Sequence, residues 1–346
     1  MSTQPTIRFA AIGLNHGHIY DQTRVLLQAG AELVWVYATE ADLLATYQRV
    51  FPQALLAPSI EAILEDRSID LVISASIPCD RAPLGLRVMR CGKDYMVDKP
   101  GVISLAQLAE VRQVQRETGR IYSIYYSERL GVRASVKAGE LVRAGAIGQV
   151  VQVAVLAPHH ERPHTRPAWF YDPAFYGGIL TDIGSHQFDQ VLYYTGSTKA
   201  EVAFSQVANL HHPQQPLFED FGDAVVRGDG GMGYLRVDWF TPEGLGTWGD
   251  GRLTIIGTDG TIEARKYVDI AGRPGGDHLF LVDQKGTQYI NCQDVELPYA
   301  RQLIADIVNR SETAMTQEHC FLASELTLQA QAQAQRSGYL PQGGAL

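Results

Sequence analysis

The sequence predicts a two-domain α/β protein, with a parallel sheet wrapped by helices over residues 1–128 and a large, mostly antiparallel open sheet with helices over residues 129–346. Three observations carry this. The chain has 346 residues, beyond the roughly 100–200 of an ordinary domain. Its first third alternates short apolar runs with helical patterns, as a parallel sheet covered by helices requires. After about residue 128 the rhythm changes to longer β-rich stretches separated by turn glycines.

Strands are expected at "IRFAAIG" (7–13), "ELVWVYA" (32–38), "DLVISAS" (70–76), "DYMVDKP" (94–100) and "IYSIYYS" (121–127). The intervening segments read as helices, with Gly30, Gly92 and Gly119 where a helix would end and Ser104 placed to cap the helix that opens "SLAQLAE". In the second domain "QVVQVAVLA", "GYLRVDWF" and "RLTIIGTDGTIEARK" read as strands, the last as a hairpin. Helices are expected at "VKAGELVRAGAIG", "TDIGSHQFDQVLYYTG", "YARQLIADIVNR" and the Ala/Gln-rich "CFLASELTLQAQAQAQ", and the final "PQGGAL" is expected to fray.

Composition narrows the function classes. Lys and Arg number 29 against 38 Asp and Glu, a net charge of −9. No basic run is long enough to track a phosphate backbone, so nucleic acid is not an expected partner. No apolar stretch reaches the 18 or so residues of a membrane span, and "MSTQPTIRFAAIG" lacks the order of a signal peptide, so no membrane and a cytoplasmic location are expected. Cys79, Cys91, Cys292 and Cys320 stand apart with no CxxC spacing, which suggests reduced thiols rather than zinc ligands or disulfides.

The first strand runs into "GLNHGHIY" (13–20), a glycine turn opening a helix. A dinucleotide site needs glycine where the chain turns and where the pyrophosphate nears the backbone, with helix N-terminal N–H groups facing the anion. Gly13 meets the first need. The second and third positions of G-x-G-x-x-G fall on Asn15 and His18, with Gly17 one place early, so the turn would rest on the tolerance of Asn15 for positive φ. At the end of the second strand, "VYATEAD" offers Thr39 and Glu40 to ribose hydroxyls and no cation to a 2′-phosphate, which favours NAD with NADP also admitted.

Three motifs in order, "GLNHGH", "VDKP" and "GGILTDIGSH", resemble the Gfo/Idh/MocA family of oxidoreductases over nearly the whole chain. The resemblance implies an N-terminal Rossmann domain, a C-terminal domain whose open sheet carries the substrate face and homo-oligomer contacts (dimer or tetramer), and NAD(P)-dependent oxidation or reduction of a hydroxyl carbon in a sugar, cyclitol or related polyol. It places the catalytic lysine on Lys99 and the catalytic aspartate and histidine on Asp182 and His186. The expected cofactor contacts are Gly13, Leu14, Asn15, His16, His18, Thr39, Glu40, Ser76, Ile77, Pro78, Asp98 and Lys99. Departures from the family pattern are the eroded glycine turn, Ala38 where an acid is common, and Asp98 before Lys99-Pro100 in place of Glu.

Chemistry supports the same residues. Hydride loss from a secondary alcohol needs a base on the hydroxyl proton, and histidine has the suitable pKa. An ammonium at Lys99, at the C-terminal end of a parallel strand, would stabilise the developing alkoxide. Asp182 would orient His186 or bind a neighbouring hydroxyl. The competing reading makes Asp182 a helix N-terminal acid on the dipole and His186 a satisfied core histidine. The loop "APHHERPHTRPAWFYDPAFYGG" (157–178) supplies a candidate sugar wall, so His159 and Trp169 join Asp182 and His186 as substrate candidates, with Tyr126 added from the domain junction near the expected cleft. The spacing of His159, His160 and His164 matches no familiar ligand pattern, and no metal is expected. Two other functions share these features: an NAD-dependent glycoside hydrolase using transient oxidation, and a non-catalytic nucleotide sensor.

Overall fold

Both faces of a parallel sheet are covered, so its strands need near-continuous apolar sequence. In the computed structural model, which describes residues 6–341, that sequence forms β1 (Arg8–Ile12), β2 (Glu32–Tyr37), β3 (Leu55–Leu56), β4 (Leu71–Ser74), β5 (Asp94–Asp98) and β6 (Tyr122–Tyr125). They pair in parallel in the order β3-β2-β1-β4-β5-β6. Every residue of β4 and β5 is buried. The strand order reverses between β1 and β4, and such a switch point opens a crevice at the strands' C-terminal ends.

Helices α1 (His18–Gln28), α2 (Ala41–Val50), α3 (Ile60–Glu65), α4 (Pro78–Arg90) and α5 (Leu105–Thr118) connect these strands. Ser104 caps α5 by accepting the Gln107 N–H at 3.2 Å, and Gly119 ends it with φ 62°. β3 and α3 had no counterpart in the sequence reading, because two exposed leucines at a sheet edge carry no periodicity.

The second sheet follows α6 (Ser127–Leu130) and α7 (Arg133–Arg143) and begins with β7 (Val150–Pro158). Helices α8 (Pro173–Tyr176), α9 (Ile179–Asp182) and α10 (Gly184–Thr195) precede β8 (Ala200–Asn209), β9 (Phe221–Gly228), β10 (Gly231–Asp238), β11 (Arg252–Gly257), β12 (Gly260–Arg265), β13 (His278–Asp283) and β14 (Gly286–Asn291). A last strand, β15 (Gln335–Gly338), closes the nine-stranded order β14-β13-β12-β11-β7-β10-β9-β8-β15. Pairing is antiparallel except for β7 with β10 and β8 with β15. Val153, Val155, Leu235, Val237, Leu253 and Ile255 are fully buried on one face, against which α10 packs. Alternate residues face the other way, where Phe204, Met232, Ile256, Val282 and Tyr289 are exposed.

Two further helices are α11 (Tyr299–Asn309) and α12 (Gln317–Gln333). Contacts divide the chain into two units, Met1–Tyr125 with Pro298–Phe321, and Tyr126–Leu297 with Leu322–Leu346. A single boundary after residue 128 therefore omits the return of α11 to the first unit. There the Tyr299 hydroxyl lies 2.7 Å from that of Ser123, and Arg310 binds both Asp94 oxygens at 2.9 Å. The expectation for "PQGGAL" (341–346) falls, beyond Pro341, on residues outside those described. Among the described residues no helix is long and apolar enough to cross a membrane.

Candidate active site

The glycine turn is built by long-range backbone bonds. The Gly13 N–H donates to the Tyr37 carbonyl at 2.9 Å, the Ala75 N–H to the Gly13 carbonyl at 3.1 Å, and the His16 N–H to the Ala75 carbonyl at 2.9 Å. Gly13 has φ +79°, and a Cβ there would stand 2.5 Å from Ser76 Cβ and 3.0 Å from Ser76 Cα, so only glycine fits. Asn15 does not turn the chain through positive φ as expected, since Gly13 alone does so within the turn. Asn15 instead donates from Nδ2 to Glu40 Oε1 at 2.7 Å, while Thr39 donates to Glu40 Oε2 at 3.0 Å.

These residues line a cavity of about 310 Å³ at the ends of β1, β2 and β4, with Gly13, Asn15, Thr39, Glu40, Ser76 and Ile77 among its walls. The glycine approach, the oriented carboxylate and the switch-point position fit the adenosine half of a dinucleotide. Leu14, His16, His18, Pro78 and Lys99 are not among its lining residues. Leu14 is buried and Pro78 is the first residue of α4.

His16 and His18 gather instead around Asp98, which is fully buried. Asp98 Oδ1 accepts the Lys99 N–H at 2.8 Å and lies 2.8 Å from His18 Nδ1. Asp98 Oδ2 accepts from Arg81 at 3.1 Å and lies 2.9 Å from His16 Nδ1. Burial would push this carboxyl up, but His18, Arg81 and His16 hold it well below the usual carboxylate range. Burial and His18 lower His16 to about 4, so at neutral pH His16 adds no charge beside Asp98, whereas the Arg81 guanidinium does. His16, His18 and Asp98 bring ligand atoms within 4.8 Å of one another. Arg81 and the Lys99 N–H already donate to the two Asp98 oxygens, so the carboxylate is satisfied by hydrogen bonding.

Sequence reading missed Arg81. Its side chain donates to the carbonyls of Ser76 (2.7 Å), Asp98 (3.2 Å), Lys99 and Pro100 (3.2 Å), joining the loop after β4 to the Asp98-Lys99-Pro100 segment. The available signal was an arginine on the buried side of α4, beside Ala82 and Leu84. Lys99 itself is 5% exposed.

In the second unit, "GGILTDIGSH" does not form one unbroken helix. The Asp182 N–H donates to the Gly178 carbonyl at 2.8 Å, four residues back, whereas the His186 N–H reaches only to Ile183, at 3.1 Å. The Asp182 carbonyl accepts the Ser185 hydroxyl at 2.8 Å instead. Asp182 therefore ends α9 while still lying in that short helix's first turn, and α10 begins at Gly184 with no side-chain cap. His186 is 2% exposed, with the Tyr126 ring 6.3 Å away. The glycine pair has a structural reason: Gly178 has φ +93°, and a Cβ would strike Gln331 at 2.3 Å. Gln331 and Glu219 accept the Leu180 and Ile179 N–H groups at 3.0 and 2.7 Å and so hold the start of α9.

The loop before this helix is folded over aromatics. The His159 ring lies 4.3 Å from Trp248 and 5.5 Å from Trp239, and Arg166 sits over Phe170 (4.3 Å) and Trp239 (5.0 Å). Arg166 donates to the carbonyls of Glu161 (2.6 Å) and His160 (3.3 Å) and interacts electrostatically with Asp182. Trp169 is half-buried and His164 exposed, so the three loop histidines do not converge. Arg166 and Glu128 are the charged neighbours of Asp182 and His186 that sequence reading did not single out.

Residues 7–126 match the NAD-binding Rossmann-fold oxidoreductase family GFO/IDH/MocA, and residues 135–263 match the GFO/IDH/MocA C-terminal domain. The chain belongs to the Gfo/Idh/MocA family. Its members are oxidoreductases, and this chain is an NAD(P)-dependent oxidoreductase with an NAD-binding Rossmann domain. It is similar to an oxidoreductase of known structure from Erwinia carotovora atroseptica, 49% identical over 96% of this chain and 100% of that one, with a TM-score of 0.93. It is 24% identical to the scyllo-inositol 2-dehydrogenase (NAD(+)) of Bacillus subtilis, over 97% of this chain and 88% of that enzyme. A levoglucosan dehydrogenase solved with NADH and levoglucosan shares the fold at 15% identity and a TM-score of 0.79, over 95% of this chain and 98% of that one.

Proposed function

We propose that this member of the family transfers a hydride between NAD and a secondary hydroxyl carbon of a cyclic polyol, either a sugar or a cyclitol. The observation that carries the reading is Lys99, a lysine only 5% exposed at the C-terminal end of a Rossmann strand. Burying an ammonium is costly, and ligand chemistry at that strand end gives it a use. The relatives named for inositol and levoglucosan support the substrate class. Glu40, oriented by Asn15 and Thr39, supports NAD, because a 2′-phosphate there would meet a carboxylate.

In the oxidising direction the bound nicotinamide supplies the hydride acceptor. His186 takes the hydroxyl proton as the carbonyl forms, and the Lys99 ammonium donates a hydrogen bond to the developing oxyanion and remains charged. Asp182 orients His186 or holds a neighbouring hydroxyl. Arg166 interacts electrostatically with Asp182. The exposed apolar face of the nine-stranded sheet supports a homo-oligomer.

The test is turnover of sugars and cyclitols with NAD and with NADP. His186→Ala and Lys99→Ala are each expected to lower kcat by about 100-fold or more. Unchanged turnover in either variant refutes the assignment. NADH accumulating in step with substrate consumed separates this reaction from a redox-neutral hydrolysis, and NAD binding without turnover of any polyol would favour the sensor.

A further inference from the structure

Around His186 the second unit buries a complete ion pair. Lys266, 2% exposed, donates from Nζ to Glu128 Oε2 at 2.8 Å and to Gln190 Oε1 at 2.7 Å. Gln187, the residue after His186, donates to the same Glu128 oxygen at 3.0 Å. Gln190, one turn later, donates to the His186 carbonyl at 3.0 Å. Two glutamines thus tie the pair to the turn that carries the imidazole. A buried ion pair is a poor route to stability, because desolvation offsets its attraction. Its ties to the segment bearing His186 suggest a different use.

We propose that the Glu128–Lys266 pair positions His186, fixing the rotation of its helix through Gln187 and Gln190 and setting the proton affinity of the imidazole through the Glu128 charge. The proposal extends the reading of His186 as the proton-transfer group and rests on it. Other titratable or charged groups around this network are His159, next after β7 and acting on Glu128, Tyr126 with its ring 6.3 Å from that of His186, and Asp182 on α9 with Arg166 acting on it. On its own helix Asp189 is neutralised by Arg129 at 2.7 Å. Burial would push the Glu128 carboxyl up, but Lys266, His186 and His159 hold it below the usual range. Glu128 is therefore a standing anion. By reciprocity it favours the imidazolium, and Lys266 limits by how much.

The two charges make opposite predictions, which a merely structural role would not. The measurement is the titration midpoint of His186 by NMR in histidine-labelled protein, with the resonance assigned by its loss in His186→Asn. Glu128→Gln, which keeps shape and hydrogen bonding, is expected to move the midpoint down by about one pH unit. Lys266→Gln is expected to move it up, because the Glu128 charge is then uncompensated. The acidic limb of the kcat/KM profile should move with the same signs. A midpoint unmoved by Glu128→Gln, or moved in the same direction by both variants, overturns the proposal. If Lys266→Gln does not fold, Glu128→Gln alone decides. If the NMR midpoints move as expected while the activity profile does not, the pair's hold on His186 stands and the reading of His186 as the base falls.

Discussion

Gly13→Ala is expected to impair NAD binding and the stability of the first unit together, through two separable terms. The first is backbone strain: at φ +79° an L-residue costs about 1–2 kcal/mol. The second is overlap. The added Cβ would stand 2.5 Å from Ser76 Cβ and 3.0 Å from Ser76 Cα, and the latter is backbone that cannot rotate aside. Relief requires a shift in the turn or in the loop after β4, which are joined by the Ala75–Gly13 and His16–Ala75 bonds. Overpacking of this kind costs about 1–3 kcal/mol. The sum, about 2–5 kcal/mol, corresponds to a loss of about 5- to 60-fold in affinity if half of it falls on the bound state. Ser76→Gly added to Gly13→Ala removes the Cβ–Cβ overlap and leaves the φ strain, so the double variant should recover part of both losses. Calorimetric NAD titration and urea unfolding of the wild type, both single variants and the double variant provide the test. Wild-type affinity in Gly13→Ala, or no recovery in the double variant, refutes the reasoning.

Two further outcomes follow from buried charge. Arg129 and Asp189 form two hydrogen bonds at 2.7 Å with both side chains nearly or fully buried, and Asp189 carries the guanidinium above its ordinary pKa although burial opposes it. Asp189→Asn should cost about 3–5 kcal/mol and lower the thermal midpoint by on the order of 10 °C, whereas Arg129→Met/Asp189→Leu should recover most of the loss. An additive double variant, measured by thermal melting, would show that the pair is not coupled. His16, lowered from 6.5 to about 4, takes up its proton in the unfolded state before the folded one, so stability should fall as pH drops from about 6.5 through 4 and be unaffected by this group above 6.5. The loss is at most about 3 kcal/mol. Urea midpoints across that range should flatten in His16→Asn, and an unchanged slope would refute the assignment.

Much of this was legible from local chemistry. Apolar runs closed by Gly13, the cap at Ser104 and the terminator at Gly119 marked the parallel unit because backbone sterics and capping are decided within a few residues. The motifs around Gly13, Lys99, Asp182 and His186 marked the family on the same local scale. The partners of those residues were not legible. That Asn15 would hold Glu40, that Arg81 would bind Asp98, or that Lys266 would reach Glu128 138 positions away depends on strand order and register. The aspartate in "GGILTDIGSH" shows the limit most plainly. Sequence spacing suggested one helix carrying Asp182 and His186, and the backbone register at Ile183, with Ser185 taking the Asp182 carbonyl, divides it in two. A hydrogen bond is chosen among all donors brought within about 3 Å, and it is the fold, through contacts distant in sequence, that brings them there.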